Sequence, residues 1–246
     1  MNLREAAQAV FRAALHQADG RRCTAAWLQN HALEGPVWAV AVGKAAAAMA
    51  EGARQALGPR LQRGLLITKH GHLAAEHTLC GPFACREAGH PVPDAASLRA
   101  GQQLLDLIAD APSSVHWLFL LSGGASSLVE VLPEGRALQT LQRAQQWLLG
   151  SGLAIAEVNR IRKGLSLIKG GRLATRLGGA AVTALMISDV PDDDPAVVGS
   201  GLLAAGWDDA QLPQAALPSW LRSKLAVVPA APRPDDPALL RVRHHT

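Results

Sequence analysis

A glycine- and serine-rich turn is the part of this sequence with the clearest potential for chemistry. After the apolar run 117–121, the chain continues with Ser122, Gly123, Gly124, Ala125 and Ser126. Glycine lets the backbone approach a ligand closely, and the free N–H groups at the start of a helix attract anions. The pattern therefore predicts a phosphate site, although a tight strand-to-helix turn without a ligand has the same composition.

A lysine occupies the corresponding place after another apolar stretch. Residues 37–42 are continuously apolar, Gly43 and Lys44 follow them, and residues 45–57 favour a helix. Lys44 is therefore expected at the carboxyl end of a strand and the amino end of a helix, where the helix dipole favours anions over cations. A bound anion would relieve this conflict. The alternative interpretation is a solvated surface lysine.

Charged residues also follow two further apolar stretches. Lys69 ends one of them, and Asp189 follows another and precedes an acidic run. Cations can neutralise the oxygens of a transferring phosphoryl group, and carboxylates can hold Mg²⁺ or accept a hydroxyl proton. These residue types suit phosphoryl transfer, with Asp189 and Asp193 as the candidate Mg²⁺ ligands. By itself, the acidic run 192–194 is more typical of a solvated turn.

The stretch that begins near residue 154 carries a polar face. Its apolar positions have helical spacing as far as residue 168, which predicts one helix over this stretch. The polar positions at spacings of three and four are Asn159, Arg162, Ser166 and Lys169. We take Asn159, Arg162 and Lys169 as candidates for substrate or nucleotide binding. The alternative is an ordinary solvated helix face.

The elements that must position these residues alternate along the chain. The predicted strands are residues 37–42, 64–68, 117–121 and 181–187, and the predicted helices are residues 45–57, 95–109 and 137–149. This alternation indicates an α/β fold, a doubly wound, mostly parallel sheet with helices on both faces in a Rossmann-like three-layer sandwich. Because ligands bind beyond the carboxyl ends of such strands, the candidate residues are expected to share one edge of the sheet.

Composition narrows the functional classes further. The chain is 49% hydrophobic and 18% charged with a net charge of +4, and it has no basic run with interleaved aromatics, so nucleic acid is not an expected partner. No apolar run is long enough to span a membrane. The three cysteines show no C-x-x-C spacing, which argues against a disulfide framework or a zinc site. A cytoplasmic location is expected.

Three common catalytic or nucleotide-binding motifs are missing from the sequence. No G-x-G-x-x-G follows the first predicted strand, no P-loop is present, and the turn at residues 122–127 lacks G-x-S-x-G. The sequence thus argues against a dinucleotide-binding oxidoreductase, a P-loop kinase and a hydrolase with a nucleophile elbow.

Taken together, several segments resemble the two-domain glycerate 2-kinases, whose carboxyl-terminal half is called the MOFRL domain. The matching segments are AVGKAA at 41–46, TKHGH at 68–72, EAGHPVPD at 87–94, LSGGASSL at 121–128, EVNRIRK at 157–163, SLIKGGRL at 166–173 and SDVP at 188–191. They occur in the order of the family, and the resemblance covers nearly the whole chain. After Ser-Asp-Val-Pro, the family usually has a glycine where this chain has Asp192.

The resemblance implies phosphorylation of D-glycerate to 2-phosphoglycerate, with ATP and Mg²⁺ as the cofactors. Lys44 matches the active-site lysine of the family, Asp189 matches an aspartate at the active-site cleft, and the turn at residues 122–127 matches the phosphate-side glycine loop. We therefore take Lys44 and Asp189 as the catalytic candidates. Lys69 and the turn residues are the further candidates for binding substrate or nucleotide.

The resemblance also shapes the expected domain organisation. Residues 1–206 are expected to form the amino-terminal α/β domain, and residues 207–246 a proline-rich tail that leads toward an absent second domain. Without that domain the chain is expected to be weak or inactive, and its possible partners are a second domain or another copy of itself. The alternative is a non-catalytic anion- or nucleotide-binding or interaction domain derived from the family.

Overall fold

A parallel sheet of six strands lies at the centre of the structure, a computed structural model that describes residues 2–73, 81–206, 217–225 and 228–246. The strands are β1 (Val37–Val42), β2 (Leu61–Lys69), β3 (Phe83–Ala88), β4 (His116–Ser122), β5 (Val182–Ile187) and β6 (Val242–His245). Their order across the sheet is β3-β2-β1-β4-β5-β6, and each neighbouring pair is parallel. This is the strand order of a Rossmann-like doubly wound sheet, so the predicted fold class is confirmed.

Helices connect and cover the strands. They are α1 (Leu3–Gln17), α2 (Gly20–Asn30), α3 (Ala46–Leu57), α4 (Ala95–Ala109), α5 (Ala125–Leu128), α6 (Leu138–Gly150), α7 (Ile155–Lys163), α8 (Ser219–Leu225) and α9 (Pro237–Leu240). Asp94 caps α4 as the sequence predicts, because its side chain accepts a hydrogen bond from the Ser97 N–H at 3.0 Å. Within the described part of the chain, no helix is both long enough and apolar enough to cross a membrane.

Both faces of the sheet are buried at its centre, which explains why β1 is apolar at every position. All six residues of β1 are buried. Alternate side chains point to opposite faces. Ala39 and Ala41 belong to a core beneath α2 and α3, while Val40 and Val42 belong to the core on the other face, with α4.

A smaller apolar cluster holds α6, α7 and α8 together. Its fully buried members include Ala144, Ile161 and Leu221, one from each of these helices. The cluster fixes the orientation of α7, whose polar residues carry two of the candidate binding groups.

The sequence prediction missed β3, and its place in the sheet explains why. β3 is an edge strand, and the exposed or partly exposed positions along it include Arg86 and Glu87. A strand buried on only one side does not need a continuous apolar run, so the pattern that revealed β1 and β4 is absent.

The predicted helix over residues 154–168 is shorter than expected. α7 ends at Lys163, and the following residues form turns in which the Leu167 N–H bonds to the Val131 carbonyl at 2.8 Å. The apolar residues that continue the helical spacing are buried by these turns instead. Ser166 and Lys169 therefore do not share a helix face with Asn159.

The described parts of residues 207–246 pack onto the sheet and helices. Leu221 of α8 is fully buried, and β6 pairs with β5 in the register Val182 with Val242. The guanidinium of Arg172 also donates to the Pro229 carbonyl at 2.7 Å. This stretch was expected to be a proline-rich tail, but its described parts contribute two helices and the last strand.

Candidate functional site

The two predicted anion-binding turns lie side by side at the centre of the sheet. Ser122 Oγ accepts a hydrogen bond from the Ala45 N–H at 3.0 Å, and the Lys44 N–H donates to the Gly123 carbonyl at 3.0 Å. The strand order reverses between β1 and β4, and this is the position at which doubly wound folds bind ligands. The structure thus places Lys44 and the turn at one edge, as the sequence pattern predicts.

Gly43 allows the ends of β1 and β4 to approach this closely. It adopts a φ of +134°, and a Cβ on this residue would lie 2.1 Å from Ser122 Oγ and 2.6 Å from the Ser122 carbonyl oxygen. No side chain fits at such distances. The identity of this residue is therefore dictated by the geometry of the site.

Three different side chains converge on the pair Gly123–Gly124. A Cβ on Gly123 would lie 2.2 Å from Asp189 Oδ2, and a Cβ on Gly124 would lie 2.9 Å from His90 Cδ2 and 3.5 Å from Lys44 Cε. Lys44 and Asp189 are exposed and His90 is partly buried. An ammonium, an imidazole and a carboxylate thus pack closely against two residues whose lack of a side chain leaves room for them.

A cavity of about 310 Å³ opens beside this turn. Its walls come from the segment after β3, the turn after β4, the helices α6 and α7, and the segment after β5. Its polar lining residues are His90, Ser126, Ser127, Gln145, Asn159, Arg162, Asp189 and Ser200. The volume lies at the lower end of the range for small-molecule sites, which is about 300–1,000 Å³.

A chain of hydrogen bonds ties the walls of the cavity together. Ser200 Oγ donates to Asn159 Oδ1 at 3.0 Å and lies 2.8 Å from Ser126 Oγ. Because a hydroxyl has one proton, Ser126 is then the donor to Ser200. Ser200 adopts a φ of +60°, a left-handed conformation unfavourable for a residue with a side chain. These hydrogen bonds hold it in that conformation.

The charges around the cavity are predominantly positive. Burial first, and then the nearby charges of Lys44, Lys69 and Arg162, lower the pKa of His90, while the Asp189 carboxylate acts in the opposite direction. His90 is therefore neutral near pH 7. Burial also lowers the pKa of Arg162, which remains a cation because an arginine starts so far above neutrality.

Most of the predicted site residues meet at this cavity. The cavity is lined by Gly123, Gly124, Ser126, Asn159, Arg162 and Asp189, and Lys44 lies beside Gly124. Ser122 and Ala125, also predicted, are buried and do not line it, and Ser122 Oγ instead accepts from the Ala45 N–H. Lys69 is partly buried at the end of β2, beside β1, and its charge acts on His90.

The structure does not agree with the prediction that Lys169 binds substrate or nucleotide. Its side chain is only 2% exposed and forms an ion pair with Glu130, whose side chain is fully buried. Ser166 also donates to Glu130. A buried ammonium requires such a partner, and its burial leaves no surface for a ligand. The spacing of polar residues suggested a shared face because α7 was expected to extend past Lys163.

Asp193, predicted as a metal ligand, also lies apart from the cavity lining. It is exposed in a short turn, Pro191–Asp193, and its N–H donates to the Val190 carbonyl at 3.4 Å. Across the residues that the structure describes, no cluster of three or more His, Cys, Asp or Glu side chains could hold a metal ion. Asp189 is the carboxylate that lines the cavity.

The sequence analysis missed His90 as a site residue. His90 follows β3, and because β3 was not recognised as a strand, nothing placed His90 at the carboxyl edge of the sheet. Recognition of β3 from its position between β2 and α4 would have identified this residue. Gln145 and Ser200 were missed for a different reason, since only the packing of α6 and of the segment after β5 brings them to the cavity.

Comparison with known proteins shows the family of the chain. The family model described as "Domain of unknown function (DUF4147)" matches residues 6–228. The chain belongs to the DUF4147 family. Among curated proteins, a D-glycerate 2-kinase of Thermotoga maritima is 42% identical over 181 residues, which are 72% of this chain and 41% of the relative. A putative hydroxypyruvate reductase of Agrobacterium vitis is 37% identical over 202 residues, 82% of this chain and 45% of the relative.

A solved structure shows the same arrangement of elements as this DUF4147 chain. The crystal structure of a glycerate kinase from Thermotoga maritima superposes with a TM-score of 0.82 at 31% identity, covering 99% of this chain and 58% of that one. The resemblance to the glycerate 2-kinases is thus confirmed. The chain spans less than half the length of the two curated relatives.

Proposed function

We propose that this DUF4147 chain is the amino-terminal domain of a glycerate 2-kinase, which transfers a phosphoryl group from ATP to D-glycerate and forms 2-phosphoglycerate. The observation that carries the proposal is the convergence of Lys44, His90 and Asp189 on Gly123–Gly124, at the point where the strand order reverses. The comparisons support it because glycerate 2-kinases are among the relatives.

The nucleotide phosphates are proposed to bind at the turn after β4. Gly123 and Gly124 line the cavity, from which phosphate oxygens can approach their backbone, and the Lys44 side chain lies beside Gly124, where its ammonium can balance their charge. In phosphoryl transfer the protein mainly positions the groups and stabilises charge on the oxygens, so a lysine and an open backbone suit this role.

Asp189 is proposed to act on the acceptor side. Its carboxylate lies against Gly123 and lines the cavity, where it can orient the attacking hydroxyl of D-glycerate and accept its proton. When bound, Mg²⁺ would neutralise charge on the phosphate oxygens. Proteins commonly hold this ion with one or two carboxylates together with substrate phosphates, and Asp189 fits that arrangement.

The cavity is open to solvent, which is expected to limit turnover by the chain alone. Lys44 and Asp189 are both exposed, and water screens the charges that phosphoryl transfer depends on. The same observation favours the second candidate function, a non-catalytic anion- or nucleotide-binding domain. The two functions differ in whether 2-phosphoglycerate forms.

A coupled assay for 2-phosphoglycerate tests the proposal. With ATP, Mg²⁺ and D-glycerate, we expect slow formation of product, well below the enzyme median of about 10 per second. Asp189→Asn should abolish it, while Asp193→Asn, outside the cavity, should leave it unchanged. Nucleotide binding without any product would favour the non-catalytic domain. If the two substitutions reduced the formation of 2-phosphoglycerate equally, Asp189 would have no catalytic role distinct from that of Asp193.

A further inference from the structure

Arg162 is a partly buried guanidinium that lacks an acidic partner. Its Nε donates to Gln145 Oε1 at 3.2 Å, and one terminal nitrogen donates to Asn159 Oδ1 at 3.3 Å. Both acceptors are neutral amide oxygens. None of the ion pairs found among the described residues includes Arg162.

Two other cations in this fold, Lys169 and Arg172, are more fully partnered than Arg162. Lys169 is paired with Glu130. Arg172, also partly buried, donates to four backbone carbonyls, those of Lys163, Ser166, Lys169 and Pro229. A guanidinium has five N–H donors. Arg162 uses two of its donors within the described structure, and it lines the cavity.

The neighbours of Arg162 fix its position before any ligand binds. Gln145 is buried, and its Nε2 donates to the Pro91 carbonyl at 3.3 Å. Asn159 is also buried, and its Oδ1 accepts from Ser200 as well as from Arg162. A guanidinium held in this way loses little conformational entropy when it binds an anion.

We infer that Arg162 binds the carboxylate of the acceptor substrate and that the cavity accordingly takes a small hydroxycarboxylate. The inference rests on the proposed function, which places the phosphates at the turn beside Lys44. A guanidinium offers adjacent, coplanar N–H groups that match the two oxygens of a carboxylate, whereas a lysine offers a point charge. Lys44 enters the site from the start of α3 and Arg162 from α7, so the two cations can serve two different anions.

The geometry also orients the acceptor. Arg162, Asp189 and Gly123 line the same cavity of about 310 Å³. A carboxylate held by Arg162 leaves the hydroxyl-bearing carbons of the same small molecule within the cavity that Asp189 and the turn line. Arg162 would therefore select for an acid and direct its hydroxyl toward the phosphate site.

A ligand series on the unaltered chain tests the role of the carboxylate without any variant. Titrations followed by NMR would compare D-glycerate with glycerol, the methyl ester of D-glycerate and inorganic phosphate. We expect D-glycerate to bind about 10- to 100-fold more tightly than glycerol or the ester, the range for hydrogen bonds to a charged group, and to shift the Nε–H signal of Arg162. Equal binding of glycerol or the ester would overturn the inference, as would a stronger response of that signal to phosphate.

Substitutions of Arg162 test whether this residue binds the carboxylate. Arg162→Gln and Arg162→Lys should each weaken D-glycerate binding by about 10-fold or more while Mg-ATP binding stays within about twofold. Arg99→Gln, an exposed arginine on α4, is the charge-matched control and should change neither. Unchanged D-glycerate binding in Arg162→Gln would overturn the inference, as would equal loss of both ligands. Melting curves identify any variant that fails to fold. For such a variant, the ligand series on the unaltered chain tests the role of Arg162 instead.

The outcomes separate this inference from the kinase proposal. If the chain binds Mg-ATP but shows no preference for the carboxylate, the inference fails and the nucleotide site stands. If it binds D-glycerate through Arg162 but binds no nucleotide, the inference stands and the kinase proposal fails.

Discussion

At the scale of single residues, two lysines with similar sequence surroundings have different environments. Lys44 follows Gly43 and Lys169 precedes Gly170, and both lysines were candidates for ligand binding. Lys44 is exposed beside Gly124, whereas Lys169 is buried against Glu130. The sequence does not distinguish them, because Glu130 lies 39 residues before Lys169 and only the packing brings the two together.

This contrast leads to a stability prediction. Lys169→Ala leaves the Glu130 carboxylate buried without its counter-ion, and breaking such a pair costs about 3–5 kcal/mol. Lys44→Ala should change the free energy of unfolding by no more than about 0.5 kcal/mol, because its side chain is exposed. Urea unfolding of the two variants measures both values. Similar losses in the two variants would contradict the assignment of Lys169 to the core and Lys44 to the site.

His90 makes the stability of the domain depend on pH. Its pKa is lowered in the folded chain, chiefly by burial, so the unfolded chain binds the proton more tightly. The contribution of His90 to stability is therefore fully present above the unfolded pKa of about 6.5 and is lost as the pH falls toward the lower folded pKa. His90→Gln should reduce the fall in melting temperature between about pH 7 and pH 5. The control is His16→Gln, which replaces an exposed histidine on α1. If both substitutions changed the fall in melting temperature equally, the role of His90 would be contradicted.

At the scale of elements, the sequence predicted the inner strands of the sheet and missed the strands at its two edges. The central strands β1 and β4 were found because β1 is apolar throughout and β4 is apolar between His116 and Ser122, and the cap at Asp94 marked the start of α4. The edge strands β3 and β6 were not found, since Arg86 and Arg243 interrupt their apolar pattern. The error at α7 has the opposite origin, because the apolar spacing continues past the end of the helix into the turns after Lys163.

The first helix leads to a prediction at this scale. α1 buries none of its residues, and Leu3, Val10 and Phe11 are 90%, 71% and 64% exposed. A chain that lacks residues 1–17 should therefore unfold with a free energy within about 0.5 kcal/mol of that of the full chain. Denaturant unfolding at two protein concentrations measures this. A larger loss that grows with concentration would show that the apolar face of α1 is covered by a second copy.

At the scale of the whole molecule, the described fold brings residues from several elements to one cavity. The parallel sheet brings Lys44, His90 and Asp189 to a single edge, and the cluster of α6, α7 and α8 brings Arg162 to the same cavity. The sequence could predict that edge from the alternation of strands and helices. The cavity itself depends on how α6 and α7 pack on the sheet, which local patterns do not encode.

The central claim is that this edge binds the phosphates of a nucleotide through Lys44. Calorimetric titration of the chain with Mg-ATP tests it most directly, with Lys44→Ala and the exposed Lys224→Ala as charge-matched variants. The account predicts binding to the unaltered chain, a loss of affinity of about 10-fold or more in Lys44→Ala, and no change in Lys224→Ala. Absence of binding, or equal affinities for the two variants, would contradict it.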